Sequence, residues 1–253
     1  MKLTQVETGA PCWVELGTSD PEAAKRFYAE LFGWQVETDP RPEAGGYTSL
    51  LLGEVPVAGL APLYAPGQPT AWTVSFAVAD ADAVAEAVRS RGGAVTMEPM
   101  EVFDLGRFSV LADPAGAVFS VWQARAFAGA GVLNEAGSLG WVELATRDTA
   151  GAKEFYTRVF GWSVTLGETY TQWGLEGRDF GGMLDMKDQF PDGVPPYWMP
   201  YFAVEDVDLT AERAVALGAE VVLPPSKMDG GPRLAVLRDA QGAVFGVHQV
   251  RPA

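Results

Sequence analysis

The sequence contains little cysteine, little histidine and few positive charges. Cys12 is the single cysteine, so no disulfide can form within the chain. Lysine and arginine number 18 against 33 aspartate and glutamate residues, giving a formal net charge of −15. A chain this acidic is a poor match for the phosphate backbone of nucleic acid. No apolar run approaches the roughly 18 residues that a membrane span needs, and the first residues do not resemble a secretory signal. We therefore expect a cytoplasmic protein that binds neither nucleic acid nor membrane.

The shortage of histidine also limits the chemistry that the chain can carry. His248 is the only histidine, whereas most catalytic transition-metal sites use several histidines or replace them with cysteines. The glycine-rich signatures of nucleotide binding and the GxSxG turn of serine hydrolases are both missing. Cys12 has no base close to it in sequence, which argues against a catalytic thiol.

What the chain does contain is an internal repeat. Its 253 residues suggest two domains, and a hydrophobic fraction of 48% is enough to build real cores. The segment CWVELGTSDPEAAKRFYAELFGW from Cys12 recurs from Gly140 at a constant offset of 128, with ten or more identities. A second pair of segments, from Ala71 and from Tyr197, matches at an offset of 126. The pattern predicts a duplicated unit of about 120 residues. We expect domains at residues 1–126 and 139–253, joined by a linker at 127–138.

Each unit is expected to hold a strand, a helix and further strands, twice over. Residues 13–16 alternate in polarity as a half-buried strand does. Asp20 and Pro21 suit the start of a helix that Gly33 ends, with a buried stripe at Ala24, Phe27, Tyr28 and Leu31. Residues 46–52 and 55–63 suggest a hairpin, and residues 72–78 a strand. A second helix over 80–91 precedes strands at 107–111 and 117–123, which are joined by an Asp-Pro-Ala-Gly turn.

This order of elements resembles the vicinal oxygen chelate superfamily of glyoxalases, bleomycin-resistance proteins and extradiol dioxygenases. The most specific pieces are the stretch from Asp20 to Trp34, its copy from Asp148 to Trp162, and the turns DPAG and DAQG before the last strands. The two-unit form resembles an actinomycete branch labelled glyoxalase-like or hydroxylase, some of whose members lie in aromatic polyketide gene clusters. The resemblance implies an α+β fold of four βαβββ modules, in which two half-units curl into a cup.

In this superfamily the metal ligands occupy four positions on the first and last strands of the half-units. The resemblance places three of these positions in each unit at Trp13, Thr73 and Ser120, and at Trp141, Met199 and Gly246. Indole cannot ligate a metal, and the other side chains are not usual ligands of zinc or iron. The fourth position falls near Leu60 and Ala61, or near residues 183–185, where Asp185 is the one acid. We therefore expect no metal centre of the family type and no cofactor.

Strand alternation predicts what the cups contain instead. If Val14 and Leu16 pack on the helix, Trp13 and Glu15 face the first cup, and Trp141 and Glu143 face the second. The same rule predicts that Arg107 and Arg233 point inward. The charged residues could be structural ion pairs, Glu15 with Arg107 and Glu143 with Arg233, or could orient a ligand. His248 could be an ordinary hydrogen-bonded residue or a ligand contact. The candidate ligand-binding residues are Trp13, Glu15, Thr73, Arg107, Trp122, Trp141, Glu143, Met199, Tyr201, Arg233 and His248.

Three classes of function are compatible with these features. Our first prediction is a metal-independent binding protein that holds a small aromatic or polyketide-like molecule between indole side chains. The alternative is an enzyme of the same superfamily, a lyase or an oxygenase. A third class, an interaction module, has only the net charge in its favour. Because two fused units supply internally the pairing that shorter relatives obtain by dimerising, we expect a monomer.

Overall fold

Two eight-stranded sheets form the framework of the protein. The structure is a computed structural model that describes residues 5–167, 170–187, 190–228 and 231–250. Each sheet contains two βαβββ modules from one repeat unit, with the two helices of that unit on one face. The α+β fold of tandem modules expected from the sequence is confirmed.

The first unit contributes eight strands and two helices. Its sheet has the strand order β2-β3-β4-β1-β5-β8-β7-β6. The elements are β1 (Pro11–Thr18), α1 (Pro21–Phe32), β2 (Gln35–Thr38), β3 (Thr48–Leu52), β4 (Val55–Pro62), β5 (Ala71–Ala77), α2 (Ala81–Ser90), β6 (Ala94–Val102), β7 (Gly106–Ala112) and β8 (Val118–Ala124).

The second unit repeats this arrangement as β10-β11-β12-β9-β13-β16-β15-β14. Its elements are β9 (Leu139–Thr146), α3 (Thr149–Phe160), β10 (Ser163–Leu166), β11 (Thr171–Leu175), β12 (Arg178–Asp185), β13 (Tyr197–Val204), α4 (Val207–Ala216), β14 (Glu220–Lys227), β15 (Arg233–Arg238) and β16 (Val244–Gln249).

The two modules of a unit join through their first strands. In the first unit, β1 pairs antiparallel with β5, so Glu15 lies opposite Thr73 and Trp13 opposite Ser75. In the second, β9 pairs with β13 in the same way, and Glu143 lies opposite Met199. These strands occupy the centre of each sheet. We call the face of each sheet that points away from the helices the first cup and the second cup.

The helix boundaries follow from capping chemistry. The side chain of Asp20 accepts a hydrogen bond from Ala23 N at 3.0 Å, and Pro21 occupies the first turn of α1. Gly33 ends the helix in a left-handed conformation with φ of 73°, which glycine adopts without steric cost. The residues expected on the buried stripe, Ala24, Phe27, Tyr28 and Leu31, are the buried residues of α1.

The two units share one hydrophobic core between their helix-bearing faces. Tyr28 on α1 donates a hydrogen bond to Asp239 in the last turn of the second unit, at 2.9 Å. Tyr156 on α3 makes the equivalent bond to Asp113 of the first unit, at 3.1 Å. Both carboxylates also accept backbone N–H groups of their own turns. These two tyrosine–aspartate pairs are therefore satisfied across the units, which avoids a desolvation penalty for them.

Strands β2, β6, β10 and β14 are elements that our reading of the sequence did not place. All four lie at sheet edges, and none of their residues is buried. Strands β2, β10 and β14 are almost wholly exposed and lack the polar and apolar alternation that identifies an inner strand. Strand β6 does alternate between exposed and half-buried residues, and its sequence from Val95 to Glu98 carries that signal. Within the part of the chain that the structure describes, no helix is long and apolar enough to cross a membrane.

Candidate functional site

A half-buried glutamate lies on the floor of each cup. Glu15 is on the central strand β1, which lies between the parallel strand β4 and the antiparallel strand β5. Gly59 on β4 lies opposite Glu15. The side chain of Tyr47, just before β3, lies over Gly59 and hydrogen-bonds Glu15. A Cβ atom at Gly59 would overlap the Tyr47 hydroxyl, so glycine is required for this approach. The Trp13 indole N–H donates to the Tyr47 oxygen at 3.1 Å. Trp13, Tyr47 and Glu15 therefore form one hydrogen-bonded chain.

The second cup repeats the chain and adds a phenol. Trp141 donates to the Tyr170 oxygen at 3.1 Å, and Tyr170 donates to Oε2 of Glu143 at 2.8 Å. Tyr201 donates to the other carboxylate oxygen at 3.1 Å. The residue equivalent to Tyr201 in the first unit is Ser75, whose hydroxyl bonds that of Ser120 at 2.5 Å. Each cup thus contains one carboxyl group, but the side chains around that group differ between the two cups.

Burial controls the ionisation of both carboxyl groups. Desolvation raises the pKa of Glu15 to about 7, and the Tyr47 hydrogen bond opposes this only in part. Desolvation also raises the pKa of Glu143, against hydrogen bonds from Tyr170 and Tyr201. Glu15 consequently gains and loses a proton near neutral pH, as a general acid or base must.

The predicted pairing of these glutamates with arginines is wrong. Arg107 binds Asp82 on α2 at 2.7 Å and Glu101 on β6 at 3.0 Å, and Arg233 binds Asp208 on α4 at 2.6 Å. Both arginines therefore point to the helix side of their sheets. Phe108 and Leu234, the next residues along, pack with the apolar residues of the cups instead. Our prediction therefore assigned the two faces of β7 and of β15 the wrong way round.

The structure brings Trp13 and Trp122 together in the first cup, but another aromatic ring already lies against them. Phe127, from the segment after β8, packs edge-on against Trp13 with ring centroids 5.0 Å apart. It packs against Trp122 at 6.0 Å, and its carbonyl accepts the Trp122 indole N–H at 2.8 Å. Both indoles are consequently buried, Trp13 at 6% exposure and Trp122 at 8%, and both contribute to packing.

His248 takes the position of Trp122 in the second unit and lies against Gly140, where a Cβ atom would overlap its ring. Its Nδ1 lies 3.3 Å from the Gln249 carbonyl, while Nε2 is buried without a hydrogen-bond partner. Desolvation lowers the pKa of His248, so the ring is neutral at physiological pH. Among the described residues, no hydrogen bond joins His248 to Glu143 or to the two phenols that bind Glu143.

The side chains at the positions that the resemblance assigned to metal ligands do not suit a metal. Thr73 and Met199 face the cups beside the two glutamates, and Tyr201 covers Gly246, where a Cβ atom would overlap its ring. Asp185 forms an ion pair with Lys187 at 2.7 Å. Over the described ranges, no group of three or more histidine, cysteine, aspartate or glutamate residues could hold a metal ion. The donor set does not fit a metal centre of the family type.

Sequence reasoning missed Tyr47, Tyr170 and Phe127. A signal for the two tyrosines exists, because each copy has a Tyr-Thr pair at the start of its third strand. Their offset is 123 rather than 128, since the loop before them is shorter in the second unit, and this shift hid the match. Phe127 has no equivalent in the repeat, so no internal comparison could reveal it.

Comparison with known proteins identifies the family. The model of the Glyoxalase/Bleomycin resistance protein/Dioxygenase superfamily matches residues 12–121 and 138–247. The chain belongs to this superfamily, as its sequence suggested. It is 40% identical to "Putative glyoxylase CFP32" of Mycobacterium tuberculosis, with 99% of this chain and 98% of the relative covered. It is also 39% identical to "Anthracycline biosynthesis protein DnrV" of Streptomyces peucetius, with 98% and 96% covered.

Solved structures share the fold at low sequence identity. The Mn(II)-bound glyoxalase from Novosphingobium aromaticivorans superposes with a TM-score of 0.70 at 18% identity, covering 97% of this chain and 84% of that one. The 2,3-dioxygenase LapB from Pseudomonas sp. KL28 gives a TM-score of 0.66 at 14% identity, with 96% and 93% covered. At these identities the likeness concerns the fold alone.

Proposed function

We propose that this protein is a metal-independent binding protein that holds a small aromatic or polyketide-like molecule in its first cup. The observation that carries the proposal is the chain of Trp13, Tyr47 and Glu15, which sets an indole beside polar groups on one sheet face. Tyr64, which is 58% exposed and lies near Glu15, offers a flat ligand a ring to stack on, and the buried Trp13 backs the site. The carboxyl and phenol groups supply orienting hydrogen bonds. We also propose that the protein is monomeric and cytoplasmic.

The relatives support an aromatic ligand. DnrV and DauV, both Streptomyces proteins, are named for anthracycline biosynthesis. Anthracyclines are planar polycyclic aromatic compounds, and a ligand of that shape suits the face of an aromatic side chain. The mismatch between the side chains at the family's ligand positions and the needs of a metal ion supports the metal-independent form of the proposal.

Quenching of tryptophan fluorescence by a panel of anthracycline and anthraquinone compounds tests this function. We expect saturable quenching by at least one compound in protein treated with a chelator. Trp13→Ala should weaken binding by about 1 to 3 kcal/mol, roughly 5- to 150-fold, because it removes the indole that backs the site and holds Tyr47 beside Glu15. Arg107→Gln is the matched control, because Arg107 faces the helices, and its affinity should equal that of the wild type. Absence of quenching by every compound, or equal affinity in Trp13→Ala, would contradict the proposal.

A second function, acid–base catalysis, is favoured by one specific observation. A pKa of about 7 at Glu15 suits a group that takes and returns a proton at neutral pH, and Tyr47 is hydrogen-bonded to it. Chromatography of the ligand after prolonged incubation with the protein separates the two functions. A binding protein returns the compound unchanged, whereas an enzyme converts it at a rate that Glu15→Gln lowers.

A further inference from the structure

The glutamate of the first cup lacks a positively charged partner in the protein. The groups that face Glu15 are Tyr47 before β3, Tyr64 after β4 and Thr73 on β5, with Gly59 opposite on β4. None of these groups is basic. Across the described residues, no lysine or arginine forms an ion pair with Glu15. A buried carboxylate without a counter-charge is costly, so the site favours any ligand that supplies one.

Three arginines of the first unit, Arg41, Arg107 and Arg125, are already neutralised by carboxylates. Arg107 and Arg125 both bind Glu101, and Arg107 also binds Asp82. Arg41, which lies 3.9 Å above the Phe103 ring, is paired with Asp39 at 2.6 Å. The chain as a whole carries a net charge of −15. The electrostatic field near the first cup therefore attracts cations.

The two cups differ at the carboxyl group itself. In the second cup, each oxygen of Glu143 accepts a phenol hydrogen bond, and the Tyr201 ring lies over Gly246. In the first cup, Ser75 and Ser120 replace Tyr201 and Gly246, and their hydroxyls bond each other instead of Glu15. Glu15 thus lacks the second phenol hydrogen bond that Glu143 accepts from Tyr201. Both oxygens of Glu143 therefore already accept a phenol hydrogen bond, whereas Glu15 can still accept a hydrogen bond from a ligand.

From these contacts we infer that the first cup selects ligands carrying a protonated amine, which pairs with Glu15 while the aromatic body stacks on Tyr64. This inference rests on the proposed function and names the class of its ligand. Aromatic side chains suit the role, because Tyr64, 58% exposed, and Tyr47 lie beside Glu15 and their rings also stabilise an ammonium group. The second cup does not take the amine, since Tyr170 and Tyr201 already occupy the oxygens of Glu143.

A matched pair of ligands tests the inference. The probes are an anthraquinone bearing an aminomethyl group and its N-acetyl derivative, titrated into the full chain by calorimetry. At pH 8 we expect the amine to bind about tenfold or more tightly than the neutral amide, as a charge-assisted hydrogen bond predicts. Below pH 7, the affinity of the amine should fall, approaching tenfold per pH unit, because Glu15 must release its proton to bind an ammonium group. The affinity of the amide should not follow this dependence.

Variants of the two glutamates assign the effect to one cup. Glu15→Gln keeps the shape of the side chain and an acceptor for Tyr47, and should lower the affinity for the amine about tenfold while leaving that for the amide nearly unchanged. Glu143→Gln should change neither. Equal affinities for amine and amide in the wild-type protein, or an unchanged affinity for the amine in Glu15→Gln, would overturn the inference. Binding of neither probe would instead count against the proposed function.

Discussion

At the scale of single residues, Glu15 and Glu143 dominate the electrostatics of the two cups. Each sits on the central strand of its sheet and is held by a tyrosine that a tryptophan orients. Glycine opposite each glutamate makes this possible, since a side chain at Gly59 or Gly182 would overlap the phenol of Tyr47 or Tyr170. Substitution of either glycine should therefore displace the tyrosine and disturb the neighbouring carboxyl group, even though the glutamate itself is unchanged.

The ionisation of Glu15 has a measurable effect on stability. Its pKa is about 7 in the folded protein against 4.5 as its ordinary value, so the folded state holds the proton more tightly. The free energy of unfolding should therefore fall as pH rises from about 4.5 to 7 and level off above, by roughly 3 kcal/mol for this group. Urea denaturation of the wild type and Glu15→Gln between pH 5 and pH 8 measures the effect. The variant should gain stability relative to the wild type as pH rises; a constant difference would rule out the raised pKa.

At the scale of elements, the repeat makes most of the fold predictable. The cap at Asp20 and the stripe on α1 follow from patterns present in both copies, whereas the pairing of the two modules within each sheet does not. The edge strands β2, β10 and β14 were not predictable by alternation, because both of their faces meet solvent. The phase of β7 and β15 was predicted wrongly, since alternation shows which residues share a face but not which face meets the helices, and Arg107 and Arg233 were assigned to the cups. Their partners, Asp82 and Asp208, recur at the same offset of 126, and that recurrence was the missing clue.

The docking of α1 against the second unit gives a prediction at the same scale. Tyr28 accepts the Trp72 indole N–H at 3.0 Å and donates to Asp239 at 2.9 Å. Tyr28→Phe leaves both groups buried without this partner and should lower the free energy of unfolding by about 1 to 3 kcal/mol. Tyr64→Phe is the control, because Tyr64 is 58% exposed and its loss should cost little. Equal denaturation midpoints for the two variants would show that the hydroxyl bonds do not join the units.

At the scale of the whole molecule, the two units cover each other's helical faces within one chain. Their apolar residues form a single core that includes Phe76 and Phe119 of the first unit with Trp162 and Trp198 of the second. We predict a monomer, because the two units already cover each other within one chain, and a net charge of −15 opposes association. Sedimentation equilibrium should give a mass near the 27.0 kDa of the chain. A mass near twice that value, about 54 kDa, would contradict the prediction.

The central claim is that the chain binds an aromatic molecule without a metal, and native mass spectrometry tests it most directly. Protein treated with a chelator, shown by elemental analysis to be free of zinc, iron, manganese and nickel, is mixed with the aminomethyl anthraquinone. The account predicts one ligand on each 27.0 kDa chain, and a large loss of the complex in Glu15→Gln. A complex that forms only after a divalent metal is added back, at one metal ion per cup, would contradict it.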